Sequence, residues 1–210
     1  MLSKIHIITI FLITLSSNLF ISPTFSNTTT TTYSSQSKSN AKYTSFIKTA
    51  CNTTTYPTLC LKTCLPYAST IAGDSHKLAI SALTATLIAT KSSASAVTKL
   101  SLLKNLGMYD ANVVRDCFEN IGDSVDDLKQ SIEEMKDLEG SNNYNSNDVK
   151  FKVSNIQTWM SAAITNESTC MDGIKEGKVS PFVKDMIRKC ILGVAKLTSN
   201  ALSLCNHLQY

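Results

Sequence analysis

The chain has 210 residues, 43% of them hydrophobic, with a net charge of +4. Its charges are interspersed and no block of Lys or Arg stands out, which argues against a nucleic-acid partner and leaves room only for weak contact with an anionic polysaccharide. Seven cysteines and only three histidines turn attention from catalysis to covalent cross-linking.

The first 26 residues read as a secretory signal peptide. Lys4 supplies the charged start, an apolar run follows from Ile7 to Leu15, and Thr24 and Ser26 are small residues at a signal-peptidase spacing. The run is too short, and too broken by Thr and Ser, to anchor in a bilayer, so no membrane contact is expected once it is removed. Residues 27–42 are mostly Thr, Ser, Asn and Gln. They have almost nothing to bury and are expected to form a disordered linker. Residues 43–210 then suit one domain with a core of its own. Asn27, Asn52 and Asn166 each open an Asn-x-Ser/Thr sequon and are glycosylation candidates in an exported chain.

Residues 43–71 hold Pro57, Pro66 and three cysteines, and read as a short helical hairpin. A first long helix follows Gly73-Asp74, with Ile80, Leu83, Leu87, Ala94 and Val97 on its apolar stripe, and ends near Gly107. In the second, Val114, Cys117, Ile121, Val125, Leu128, Ile132, Met135 and Leu138 repeat at steps of three and four; Asp110 is placed to cap it and Gly140 to end it. After an Asn-rich loop, Val153, Ile156, Met160, Ala163 and Cys170 mark the third. The fourth runs through Val183, Ile187, Cys190, Val194, Leu197, Ala201, Leu204 and Leu208, with Ser180 as N-cap and Pro181 at the first helical position. No segment alternates with period two. Four long amphipathic helices with short joins bury their stripes most simply as an up-down-up-down bundle, so the predicted class is all-α with the hairpin as an N-terminal extension.

Catalytic chemistry is missing. His76 and His207 are the histidines left after the signal peptide, and both read as surface residues. No nucleophile elbow, zinc-protease motif or dinucleotide fingerprint occurs, and the segment from Gly173 to Val179 falls short of a phosphate loop. The acidic pairs Asp126-Asp127 and Glu133-Glu134 alternate with lysines on one helix, as a solvated face does. No cofactor or metal is implied, and the chain is not expected to be an enzyme.

Cys51 and Cys60 bracket a turn-rich stretch, and Cys117 and Cys170 fall on the core stripes of two different helices. The pairing itself is open at this level. The blocks C-N-T-T-T-Y-P-T-L-C, R-D-C-F-E-N-I-G-D-S-V-D-D-L, S-N-I-Q-T-W-M-S-A-A-I-T-N-E-S-T-C-M-D-G and I-R-K-C-I-L-G-V-A-K-L-T-S-N-A-L-S-L together resemble the plant pectin methylesterase inhibitor and invertase inhibitor family, and within it the secreted branch of 21 kDa proteins. The resemblance implies bridges Cys51–Cys60 and Cys117–Cys170, with Cys190 at a position often left free. Cys64 and Cys205 depart from the family pattern, either as free thiols or as a pair. It further implies a protein secreted to the plant cell wall that binds pectin methylesterase one-to-one over the active-site cleft, through Glu119, Asp123, Thr169 and Asp172. A second reading, inhibition of acid invertase, attaches to Lys150 and Phe151, which stand where invertase inhibitors carry a Pro-Lys-Phe anchor; here Val149 replaces the proline. Phe151 is also explained as the first apolar residue of its helix stripe. A third reading is a secreted helical binding protein without inhibitory activity.

Overall fold

A computed structural model describes residues 30–139, 147–175 and 178–208, with side-chain surroundings from residue 40 onward. The signal peptide, Asn27 and Gly140 lie outside the described residues. The chain divides into two compact units, Met1–Ser35 and Gln36–Tyr210, and the second holds the bundle and its hairpin. Among the described residues there is no strand. The helices are α1 (Thr30–Cys51), α2 (Pro57–Cys64), a 3-10 turn (Leu65–Tyr67), α3 (Ala68–Ile71), α4 (Ser75–Ser101), α5 (Met108–Glu139), α6 (Asn147–Gly173) and α7 (Pro181–Asn206).

Helices α4 to α7 form the four-helix bundle. Each packs on the next in the chain and α7 returns to α4, while α5 and α7 barely touch across the diagonal. Cross-helix bonds fix the up-down-up-down sense. Cys117, early in α5, is bonded to Cys170, late in α6. Gln157, in the first half of α6, donates to the side chain of Asn206 at the end of α7 (3.1 Å). Ser93, late in α4, donates to the carbonyl of Cys190, early in α7 (2.9 Å).

The termini follow from local chemistry. Asp74 caps α4, its Oδ1 accepting from the amides of His76 and Lys77 (2.8 and 3.0 Å). Gly73 just before it adopts φ +85°, a conformation a side chain would strain. Ser180 caps α7 with Pro181 in the first turn. Asp110 is not the cap of α5. The helix already begins at Met108, and the Asp110 carboxylate accepts from the backbone N–H of Ser180 (2.9 Å), tying the start of α5 to the start of α7.

The buried faces differ from the apolar stripes in an instructive way. On α4 the inner face runs through Thr86, Thr90 and Ser93, while Ile80, Leu87 and Ala94 are only partly buried. The threonines bring no unmet polar group inside, since each hydroxyl donates to the carbonyl four residues back (2.8 and 2.9 Å). On α5, Ser124 is buried where Val125 was expected, and its hydroxyl lies within bonding distance of the carbonyls of Asn120 and Ala163 (3.0 and 3.2 Å). On α7 the face passes through Thr198 rather than Leu197. The core forms two clusters, one at the hairpin end around Leu83, Leu128 and Met160, and one at the other end around Val114, Cys117, Cys170 and Ile187.

Helix α1 reaches back to Thr30, into the stretch expected as linker. Its anchoring residues lie at the other end, where Phe46, Ile47, Ala50 and Cys51 join the core. A nucleated helix extends at little cost, one hydrogen bond per residue fixed, so a polar sequence can continue the anchored turn. The loop between α1 and α2 is held on α7 by Asn200, whose Oδ1 accepts from the N–H of Tyr56 (2.8 Å) and whose Nδ2 donates to the Tyr56 carbonyl (3.0 Å). Cys51 is bonded to Cys60 across this loop. Cys64, Cys190 and Cys205 are free thiols, so Cys64 and Cys205 are not paired with each other.

One buried acid stands out. Glu167 on α6 is fully buried; Oε1 accepts from the Thr198 hydroxyl (2.8 Å), and Oε2 has no partner. Burial pushes its pKa up to about 8, with the Thr198 hydrogen bond opposing the shift. His76 is likewise half-buried rather than on the surface, with both ring nitrogens shielded from solvent, and burial lowers its pKa against the pull of Glu139 and Asp74. His207 is on the surface, its Nδ1 against the Ser203 carbonyl.

Glu167 makes stability depend on pH. Above an ordinary carboxyl pKa the unfolded chain releases this proton while the folded chain keeps it, so stability falls as pH rises toward 8. Glu167→Gln should match the parent near pH 5 and exceed it by roughly 2–4 kcal/mol at pH 8 in urea titrations. A gap that does not grow with pH would remove Glu167 from this role. Removing the cross-links should separate them by loop length. Cys117→Ser with Cys170→Ser should cost about 4 kcal/mol, against about 2.5 for Cys51→Ser with Cys60→Ser, read by the same titration.

Candidate inhibitory interface

The second and third bundle helices meet closely where the disulfide joins them, with Cα atoms of Cys117 and Cys170 4.6 Å apart. Further along α5, buried Ser124 meets α6 at the carbonyl of Ala163. Beside the disulfide the two helices leave an open groove of about 320 Å³. Its lining is Val113, Asp116, Cys117 and Asn120 from α5, with Thr169, Cys170, Asp172 and Gly173 from α6.

Of the four residues expected at an interface, Thr169 and Asp172 line this groove; Glu119 and Asp123 do not. Both acids are exposed on α5, three residues on from Asp116 and Asn120, which places them in the adjoining column of side chains. Asp116 and Asn120, which the motif reading did not name, line the groove beside Thr169 and Asp172. Their positions one before and three after Cys117 become informative only once the disulfide register is known. Thr169 turns its hydroxyl back to the carbonyl of Thr165 (2.9 Å), and Asp172 pairs with Lys175 (2.6 Å), both exposed. Exposed pairs of this kind hold little energy and yield readily to a partner. Further along, Asp127 is partly buried, and burial first, then Asp123 and Asp126, raise its pKa. Lys129 offsets part of this crowding by pairing with Asp126 (2.7 Å).

Asn166 donates its side-chain amide to Asp127 (3.3 Å) and is partly buried between the two helices. Asn52 is exposed in the turn that follows α1. Of these two sequons, that of Asn52 therefore presents its amide far more openly.

Lys150 and Phe151 lie elsewhere. Helix α6 begins at Asn147, so both are already helical rather than in a loop before it. Phe151 is 65% exposed, and the buried stripe starts instead at Val149. Its side chain therefore does not open the core face, contrary to the packing explanation. From Phe151 to Thr169 the helix rises about 27 Å, which puts this aromatic at the opposite end of α6 from the groove.

Among the described residues, the one group of cysteine, histidine or acid side chains close enough to share a metal ion is Cys51, Cys60 and Cys64, two of which are spent on a disulfide. No described helix is long and apolar enough to cross a membrane.

Comparison with known proteins agrees with this architecture. Residues 45–204 match the family model "Plant invertase/pectin methylesterase inhibitor". The chain is 43% identical over 174 residues to pectinesterase inhibitor 10 of Arabidopsis thaliana, covering 82% of this chain and just 54% of that protein. It is 38% identical to the 21 kDa protein of Daucus carota, covering 77% of this chain and 82% of that one. A crystal structure of a mutant form of a pectin methylesterase inhibitor from Arabidopsis superposes with a TM-score of 0.57 at 18% identity, over 78% of this chain and 97% of that one, a likeness of fold. With the four-helix bundle, its hairpin and the two cross-links in place, this chain belongs to the plant invertase/pectin methylesterase inhibitor family, a family of inhibitors rather than catalysts.

Proposed function

We propose that this protein is a secreted inhibitor of pectin methylesterase, acting in the plant cell wall by forming a one-to-one complex that covers the enzyme's active-site cleft. The observation that carries this reading is the groove beside Cys117–Cys170, an exposed recess on a rigid, cross-linked helix pair, rimmed by acids and lined by Thr169 and Asp172. Relatives named pectinesterase inhibitors supply the target. Inhibition of this kind asks no chemistry of the inhibitor. It needs a preorganised surface, and two helices stapled at van der Waals distance lose little entropy on docking.

Inhibition of acid invertase is the second reading, and the exposed Phe151 beside Lys150 favours it. A large aromatic left in water at a helix start is available as an anchor. The two readings use opposite ends of α6, so they are separable.

Titrating the purified mature protein against a plant pectin methylesterase and an acid invertase, side by side, tests the choice. Esterase inhibition is expected, and inhibition of invertase alone would reverse the ranking. Thr169→Trp should weaken the esterase complex at least tenfold by bulk, with the helical circular dichroism unchanged; undiminished inhibition would take Thr169 out of the interface. The double change Lys150→Ala with Phe151→Ala should cost the esterase complex well under tenfold, and an invertase complex about a hundredfold or more. A large loss against the esterase would place the docking face at the other end of α6.

A further inference from the structure

The Sγ atoms of Cys51, Cys60 and Cys64 all lie within 4.8 Å of one another in the core of the hairpin. Cys51 and Cys60 share a disulfide, whereas Cys64 is a free thiol. Cys60 and Cys64 are one turn apart on α2, so they occupy the same face of that helix. A free thiol held beside a disulfide is the reactant pair for exchange. We propose that Cys51 has two interchangeable partners, and that Cys64 can move the bridge one turn along α2 by internal thiol–disulfide exchange.

The step balances without help. Cys64 gives its proton to solvent, and its thiolate attacks Sγ of Cys51. The Cys64–Cys51 bond forms as the Cys51–Cys60 bond breaks, and the electron pair leaves on Cys60, which takes up a proton. One disulfide and one thiol stand on each side, so no oxidant or reductant is consumed. The new loop is longer by a single helical turn, and loop-closure entropy separates the two bridges only slightly. Attack on Cys60 instead would place the bridge inside α2 and abandon the link between α1 and α2. That product forfeits the longer-loop constraint, so Cys51 is the favoured target.

The surroundings of Cys64 set when the exchange runs. Burial raises its thiol to about 11, so in mild acid almost none of it is thiolate, and the reactive fraction grows tenfold per pH unit from there. The bridge is therefore locked in acid, still nearly static at neutral pH, and mobile as the solution turns alkaline. Cys190 and Cys205 are the other free thiols, and neither belongs to the three-sulfur group.

The test is disulfide mapping of the folded protein held at pH 6, 7.5 and 9 without oxidant. Samples are quenched in acid, labelled with N-ethylmaleimide in acidic guanidine and digested with pepsin. A Cys51–Cys64 peptide should accumulate, with Cys60 labelled, about ten times faster per pH unit. Cys64→Ser should abolish that peptide, while Cys190→Ser should leave it. Cys51 joined to Cys60 alone at every pH, or a Cys60–Cys64 product in its place, would overturn the proposal. As an equilibrium check, secreted Cys60→Ser should carry a Cys51–Cys64 bridge; a folded Cys60→Ser with both thiols free would also overturn it. Should that variant fail to fold, the mapping of the unaltered protein decides alone.

Discussion

The close approach of α5 to α6 is the constraint on which the rest of the domain depends. A Cα separation of 4.6 Å at the disulfide sets the register of the pair, and further along α5 the small residues Ser124 and Ser131 are buried. Their hydroxyls reach carbonyls within or across the pair, so the small residues add no unmet polar groups. Once this pair is set in register, α4 and α7 close the ring on its other side. The start of α7 is then pinned to the start of α5 through Asp110 and Ser180.

How much of this was legible depended on whether a residue's role could be judged from its type. The four long helices were plain from apolar repeats, and so were the Ser180 and Pro181 start of α7 and the Asp74 boundary of α4. The inner face of α4 was not, because Thr86 and Thr90 count as polar in any stripe and become buriable only through bonds to their own helix. Asp110 misled for a related reason. A carboxylate at a helix start looks like a cap from sequence alone, and nothing local reveals that a backbone N–H seventy residues later is its donor. The extension of α1 to Thr30 was hidden because composition speaks of burial, whereas a helix can continue outward from an anchored end.

The candidate interface was half legible for a geometric reason. Motif position picked out Thr169 and Asp172, which line the groove, but rotation about α5 decides whether Asp116 or Glu119 turns toward it, and that rotation is set by the cross-link rather than by any local pattern. Phe151 shows the opposite limit. Its type suggests a core residue, and only the placement of Val149 two positions earlier on the buried face reveals that it stands in water. Glu167 was legible only by position, four residues after Ala163 and three before Cys170 on the apolar stripe, while its acidic type hid it.

Asn200 carries a consequence for how the protein is made. Its two hydrogen bonds grip the backbone of Tyr56 from 144 residues away. Translation delivers the hairpin first and α7 last, so the hairpin can pack on α4 early, but the other half of its seat is missing until α7 emerges. The turn between Cys51 and Cys60 stays unpinned until Asn200 reaches it, with α4 alone beneath the hairpin. The first part of the domain to be made is thus among the last to be fixed in place.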